Sequence, residues 1–281
     1  MYTRDLLNTT FIIPVKIEHP DRYRNAQTIL GFMNHHLKTN VFIYEISEDG
    51  QSKLDFLNSL HNLKIKHWVS EPDRPVPNDE TPIFHRTRYL NLMLDEVVTP
   101  VVCNYDIDVL INPDFYERCQ NLILNKESDV IYPFKFGQMG QIRVLEGFNY
   151  SKFKAEGFDL PLVKNEGPMN YYDSEYGHCI FFDTEVYKKF GAENENFISY
   201  GPEDKERGIR FSKMGFKVRW IEDSIVYHFE HFRGLDSGHT NPYFTHNWNV
   251  YNELEKMDGE RLLQYYKSPD YTEKYKTIGK H

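Results

Sequence analysis

The sequence predicts an α/β protein built on a mostly parallel, doubly wound sheet. Three observations carry that expectation. Short apolar runs alternate with helix-period segments through the first 110 residues. The connections between them are short, as strand–helix–strand units require. The length, 281 residues, suits one large α/β unit, and no linker divides it.

Each element has its own signal. Residues 10–15, from Thr10 to Val15, read as a first buried strand. Asp21 is placed to cap a helix running to about Leu37, with Ala26, Ile29, Leu30, Met33 and Leu37 at helical spacing. Residues 41–46 read as a strand, 52–60 as a helix and 65–69 as a strand. A proline-rich loop at 73–82, with Pro75 and Pro77, precedes a helix at 84–97 and a strand at 101–105. These elements make residues 1–110 the expected nucleotide-binding half. Beyond them, 113–124 reads as a helix and 129–133 as a strand. The stretch 135–172 carries Gly137, Gly140, Gly147, Gly157 and Gly167 and reads as an irregular loop or lid. A strand at 176–183 leads to a helix at 185–190 capped by Thr184. Pro202 opens a helix that ends near Gly215. A strand at 217–227 and a helix at 247–265 complete the pattern.

Composition excludes some partners. The net charge is −9, which argues against nucleic acid. A nucleotide diphosphate remains compatible, because a local metal decides its binding. Twenty Tyr and twenty Phe point first to an aromatic-rich core. Cys103, Cys119 and Cys179 lack metal spacing, so reduced thiols and an intracellular setting are expected. Residues 1–10 lack a signal-peptide pattern, and no apolar run approaches the ~20 residues of a membrane span. A cytoplasmic location follows as the expectation. The tail from Tyr265 to His281 either frays or makes weak peripheral contact with an anionic bilayer.

Three constellations carry chemistry. Asp106 and Asp108 stand one residue apart at the end of an apolar strand. Buried carboxylates need neutralising, and a divalent cation with a phosphorylated ligand is one way; a solvated turn is the other. Glu203 and Asp204 follow Pro202 in a first helical turn, either as dipole-favoured caps or with a general base at a cleft. His228 and His231 lie three residues apart after the strand at 217–227, as metal ligands or surface imidazoles. No His-Glu-x-x-His protease pattern is present.

In this order, Asp-x-Asp, Gly-x-Glu-Asp and His, the chain resembles the GT-A-fold, nucleotide-sugar-dependent glycosyltransferases. The likeness is to the β-1,4-galactosyltransferase and bacterial family 2, chondroitin-polymerase-like, group. It spans about Phe11 to Gly234. Arg86-Thr87-Arg88-Tyr89-Leu90-Asn91 matches a helix ending in Leu-Asn before the Asp-x-Asp strand. Ser174-Glu175-Tyr176-Gly177 leads the next strand as a Gly-Gly pair does there, and Phe190 to Phe197 resembles the lead into Gly-x-Glu-Asp. Tyr227-His228-Phe229-Glu230 matches a Tyr-His-x-Glu motif, while His231-Phe232-Arg233 resembles the His-Ser-Arg of the galactosyltransferases. Two residues depart from the pattern. Tyr200 stands where the family has Trp, and His178 where it has the second Gly.

The resemblance implies a GT-A, Rossmann-like fold with a mixed, mostly parallel sheet. It implies a metal-dependent, inverting transfer of a sugar from a nucleotide-diphosphate donor, a UDP-sugar by preference, to a saccharide hydroxyl in polysaccharide assembly. Asp108 would bind the metal, with Asp106 against the ribose and the metal site. His228 and His231 would be further ligands, with no choice between them. Asp204 would be the base and Glu203 would hold the sugar. Pro14, Val15 and Lys16 would lie near the nucleotide, with Arg86 or Arg88 at the uracil or diphosphate and Gly177 beside the donor. Carboxylate plus imidazole favours Mn2+ over Mg2+. Either 135–172 or the loop 232–245, with Gly234, Gly238 and Pro242, would close over the donor. Two other readings stay open. One is a nucleotidyltransferase, although no glycine-rich phosphate loop lies between Pro14 and Asp21. The other is an inactive carbohydrate-binding module of the same fold.

Overall fold

The computed structural model describes residues 3–74, 82–165, 169–234 and 237–274. Pro75, Pro77 and Gly167, with parts of the 73–82 and 232–245 loops, lie outside the described residues.

The chain opens with β1 (Arg4–Lys16), α1 (Pro20–His36), β2 (Leu37–Ile46), β3 (Leu63–Ser70), α2 (Arg86–Asp95), β4 (Val101–Tyr105) and β5 (Val109–Leu110). There follow α3 (Pro113–Leu124), β6 (Val130–Tyr132), β7 (Gly137–Val144), α4 (Tyr150–Ala155), α5 (Leu160–Asn165), β8 (Met169–Ser174) and β9 (Cys179–Asp183). The last elements are α6 (Thr184–Lys189), α7 (Glu203–Lys213), β10 (Val218–Trp220), β11 (Val226–Phe229), α8 (Phe244–Glu255), α9 (Gly259–Lys267) and α10 (Pro269–Lys274).

Seven strands form the central sheet in the order β10-β6-β9-β4-β1-β2-β3. Every neighbouring pair is parallel except the two made by β9. The sheet is therefore mixed and mostly parallel. Its interior strands are apolar on both faces, as a sheet covered by helices requires, and β4 and β9 are buried throughout. A second sheet, β5-β11-β7-β8, stands beside the end of β4. One continuous core joins residues from Leu6 to Phe229, and a smaller cluster lies under the C-terminal helices.

The structure corrects several local expectations. His19, not Asp21, caps α1: its side chain accepts from the Asp21 amide. Asp183, not Thr184, caps α6, accepting from the amides of Glu185 and Val186. Residues 52–60 hold only one 3-10 turn, Leu57–Ser59. There the buried Glu45 carboxylate takes the Lys53 amide at 2.7 Å and the Ser52 hydroxyl at 2.8 Å, and such side-chain bonds compete with helix formation. The stretch 135–172 is largely regular, because β7 pairs with both β11 and β8. Gly140 serves backbone geometry instead: a Cβ there would meet the Lys135 carbonyl oxygen at 2.2 Å, beside the irregularity in the β7–β8 register. The strand expected at 217–227 is two strands in different sheets, broken by a turn in which the Ser224 amide donates to the Ile221 carbonyl. The helix expected at 247–265 is likewise two, because Asp258 caps a new start at Gly259.

Two of the C-terminal tyrosines are interior. Tyr266 is 2% exposed and Tyr271 fully buried, so through Lys274 the chain is docked and offers neither ring to a bilayer. Among the described residues, no helix is long and apolar enough to cross a membrane. All three cysteines are free and buried.

Gly259 shows how tightly α9 is seated. Alanine in a helix normally gains up to about 1 kcal/mol over glycine. Here a Cβ would lie 2.0 Å from the Lys213 carbonyl oxygen, a backbone atom. Overpacking of this kind costs about 1–3 kcal/mol, so the clash decides the sign and Gly259→Ala should destabilise the protein. Urea unfolding checks this; an unchanged or raised midpoint would show that α9 is free to shift.

Candidate active site

The sheet presents its loops where the parallel strands end, the usual place for a ligand in such folds. There a cleft is lined by Pro14, Val15 and Lys16 from the end of β1 and by Asp106, Ile107 and Asp108 after β4. Gly177 and His178 precede β9 on another wall, Glu203 and Asp204 open α7, and His228 and His231 follow from β11. Arg86 enters from α2 and Arg22 from α1. The structure thus brings together every site residue expected from sequence except Arg88. That side chain is 43% exposed and bonds Asp73 Oδ1 at 3.1 Å. Two residues apart on a helix is more than half a turn, so Arg86 and Arg88 point to different sides.

Backbone pairing delivers the first cluster. His228 pairs with Val109 across β11 and β5, and the Phe229 amide donates to the Asp108 carbonyl at 2.8 Å. The ligand atoms of Asp108, His228 and His231 lie within 4.8 Å of one another. Asp108 Oδ1 is 3.6 Å from His228 Nε2, and Oδ2 is 3.0 Å from His231 Nε2 and 3.1 Å from Arg22 Nη1. His231 Nδ1 lies 2.8 Å from the Phe232 carbonyl oxygen, which can only accept, so this nitrogen carries the proton. A proton on Nε2 or a cation held by both groups would join this nitrogen to the carboxylate, and the carbonyl bond at the far nitrogen is how ligating histidines are usually held. Burial pushes the His228 pKa down to about 3 against the pull of Asp108, leaving the neutral imidazole a metal needs. Burial acts to raise the Asp108 pKa, but His228, His231 and Arg22 outweigh it and hold the carboxylate ionised. The donor set fits a divalent transition ion such as Mn2+. Asp106 stands outside this group: its Oδ1 accepts from Arg86 Nη2 at 2.8 Å.

The second cluster is built by α7. Its first turn holds Glu203, Asp204 and Glu206, where the helix dipole favours negative charge. Asp204 Oδ1 accepts from Arg207 Nη1 at 2.8 Å and from Arg86 Nη1 at 3.3 Å. Asp204 Oδ2 turns to Gly177, whose φ is +88° and where a Cβ would sit 2.9 Å from that oxygen. Burial opposes ionisation of Asp204, yet Arg86 and Arg207 bring its pKa down to about 2. Glu203 behaves oppositely. Burial first, then the Asp204 charge, pushes its pKa up to about 8, and its Oε2 is buried with no hydrogen-bond partner among the described residues. Two adjacent carboxyls with opposed shifts divide into an ionised acceptor and a neutral donor.

Sequence reasoning missed Arg22, Glu193 and Arg207. Arg207 could have been found, since it stands at i+3 from Asp204 on one helix. Arg22 had no local signal, because its partner is 86 positions away.

No family model matches the chain, and no curated protein does. Among solved structures it is similar to GalNAc-T7 with UDP, GalNAc and Mn2+, with a TM-score of 0.51 and 12% sequence identity. The match covers 92% of this chain and 54% of that one, so this chain spans about half the length of its neighbour. A likeness at this identity speaks for architecture, and the fold is that of the GT-A glycosyltransferases.

Two outcomes follow. Asp108→Ala should abolish any rise in Tm that Mn2+ gives; a rise undiminished in the variant would show that the ion sits elsewhere. The second concerns Glu203. Its folded pKa lies above the ordinary 4.5, so the stability linked to its protonated form is complete below about pH 4.5 and is lost as pH rises through about 8. Glu203→Gln removes that titration. The variant should match the wild type at about pH 5 and exceed its Tm at about pH 8.5, whereas parallel Tm curves would contradict the raised pKa.

Proposed function

We propose that the protein is a metal-dependent, inverting glycosyltransferase. It moves a sugar from a nucleotide-diphosphate donor, a UDP-sugar by preference, to a saccharide hydroxyl. The observation that carries this reading is the meeting, in one cleft, of the Asp108–His228–His231 group with an ionised Asp204. The UDP and Mn2+ solved with GalNAc-T7 support it. On this reading residues 1–110 hold the nucleotide and 111–281 frame the acceptor. The nucleoside lies on the shelf lined by Ile46, Ser47 and Lys53, which joins the cleft through Lys16 and Glu18.

When bound by Asp108, His228 and His231, Mn2+ supplies Lewis-acid stabilisation of the departing diphosphate. The chain's own residues do the rest. Arg22 and Arg233 bring fixed positive charge to the same wall of the cleft. The acceptor oxygen bonds to the anomeric carbon as the bond from that carbon to the phosphate oxygen breaks. The nucleoside diphosphate leaves with the electron pair, and the acceptor proton passes to Asp204 Oδ2. One displacement on the face opposite the leaving group inverts the anomeric centre. A carboxylate of low pKa is a weak base, but the hydroxyl becomes strongly acidic once its oxygen has bonded to carbon, so late proton transfer to Asp204 is downhill. Neutral Glu203 donates a hydrogen bond to a sugar oxygen, which its ionised form could not do.

Asp204→Asn keeps the shape of the site and removes the proton acceptor. It should retain UDP affinity in Mn2+ and lose about 10²- to 10⁴-fold in turnover, measured as UDP release with a saccharide acceptor. EDTA should silence the wild type in the same assay. Turnover of the variant equal to that of the wild type would remove Asp204 from the chemistry, and full wild-type turnover in EDTA would remove the metal.

A further inference from the structure

The carboxylate at Asp204 is anchored from behind by a buried network that lies outside the cleft. Arg207 sits one turn along α7 with its side chain 1% exposed. One arm of its guanidinium donates to Asp204 Oδ1 at 2.8 Å and the other to Glu193 Oε2 at 2.7 Å. Glu193 is 1% exposed and is itself fixed on several sides. Its Oε1 accepts from the Tyr187 hydroxyl and from Asn104 Nδ2, the latter at 2.8 Å. The Asn91 side chain bonds both its backbone amide and its carbonyl, each at 2.9 Å. Asn91 lies on α2, the helix of Arg86, and Asn104 lies on β4, the strand that delivers Asp106. Glu193, through its buried carboxylate and its backbone together, therefore gathers the elements that carry Arg86, Asp106 and Asp204.

Stability is a poor reason for such a pair, because an apolar pair of equal volume is often as stable as a buried ion pair. Geometry supplies a better one. An aspartate carboxylate rotates broadly about its last torsion, and an acceptor hydroxyl must meet one defined oxygen at about 3 Å. Arg86 lines the cleft and divides itself between Asp106 and Asp204, so an anionic donor can draw it away. Arg207 does not line the cleft, so its hold persists through the reaction.

We propose that Arg207 is a positioning residue: locked by Glu193, it fixes the rotation of Asp204 so that Oδ1 is anchored and Oδ2 alone meets the acceptor hydroxyl. This rests on the reading of Asp204 as the base. The test compares Arg207→Lys with Arg210→Lys. Lysine keeps the buried charge but loses the two-armed fork. Arg210 is equally buried and serves as the structural control, since it bonds Glu206 and the carbonyls of Phe190 and Ala192 and does not touch Asp204.

Arg207→Lys should lower kcat by about 30- to 100-fold while donor KM and UDP affinity in Mn2+ stay within about threefold. Arg210→Lys should lower Tm and leave kcat per folded molecule near that of the wild type. Should Arg207→Lys fail to fold, Glu193→Gln, which keeps the shape and releases the lock, is read by the same split between kcat and KM. A folded Arg207→Lys or Glu193→Gln enzyme with kcat within about threefold of the wild type would overturn the proposal alone. An equal loss of kcat in Arg210→Lys would also overturn it, by marking the effect as general loosening. A wild type that transfers no sugar, or an active Asp204→Asn, would instead overturn the reading of the base, and the positioning role with it.

Discussion

Four carboxyl groups converge at one end of the sheet, and the site depends on how their repulsion is relieved. The tie between its two sides is Arg86, whose guanidinium reaches Asp106 with one arm and Asp204 with the other. Without it the end of β4 and the start of α7 would present like charges across a partly dehydrated gap, which costs far more than in water. The remaining cations are allotted in the same way. Arg22 pairs with Asp108, alongside the imidazoles of His228 and His231, and Arg207 backs Asp204. Glu203 receives no direct cation partner among the described residues, and it is the group that burial and its neighbour drive toward the neutral form. The protonation pattern is thus a consequence of where the guanidinium groups stand.

The backbone bears the cost of bringing these groups together. Gly177 and His178 both have φ in the left-handed region, at 88° and 58°, just before β9 turns back into the sheet. Ser199 is left-handed too, at 59°, just before α7. Non-glycine residues persist there only when their surroundings over-determine them. At Ser199 the hydroxyl accepts from Asn241, and Asn247 brackets the segment by bonding the Ile198 amide and the carbonyls of Ile198 and Tyr200. At His178 the carbonyl accepts from the Asp106 amide at 2.9 Å, which couples the strained turn to the Asp-x-Asp segment. His178 thus adopts a backbone conformation that favours glycine.

This explains which parts of the molecule could be read from sequence. The strand at 101–105 and the helix at 113–124 were legible to the residue, because their signals are local: an apolar run in one, and in the other Pro113 at the first turn behind an Asn112 cap. The segments misread at 52–60 and 217–227 are governed by partners distant in sequence or in space, the Glu45 carboxylate in one and recruitment into two separate sheets in the other. The site divides along the same line. Asp108, His228, Glu203 and Asp204 announce themselves in short motifs, whereas Arg22 and Glu193 acquire their roles only when residues 86 and 14 positions away fold against them. Charge compensation is a tertiary property, and no window of sequence contains it.

The two sides of the cleft are held by different means, and this sets how each responds to change. The side of Asp108, His228 and His231 hangs on backbone hydrogen bonds, the β5–β11 register and the bond from the Phe229 amide to the Asp108 carbonyl. Any residue can supply those groups, so that side depends mainly on the identity of its ligands. The side of α7 hangs on side chains. Arg207 bridges Asp204 and Glu193, Asn91 bonds the Glu193 backbone, and Tyr271 reaches the carbonyl oxygens of Gly191 and Glu193. Each of those contacts vanishes with one substitution and leaves a buried partner unpaired. The orientation of Asp204 is accordingly the more fragile half of the design, and the C-terminal helices bear on it through Tyr271 and Glu193.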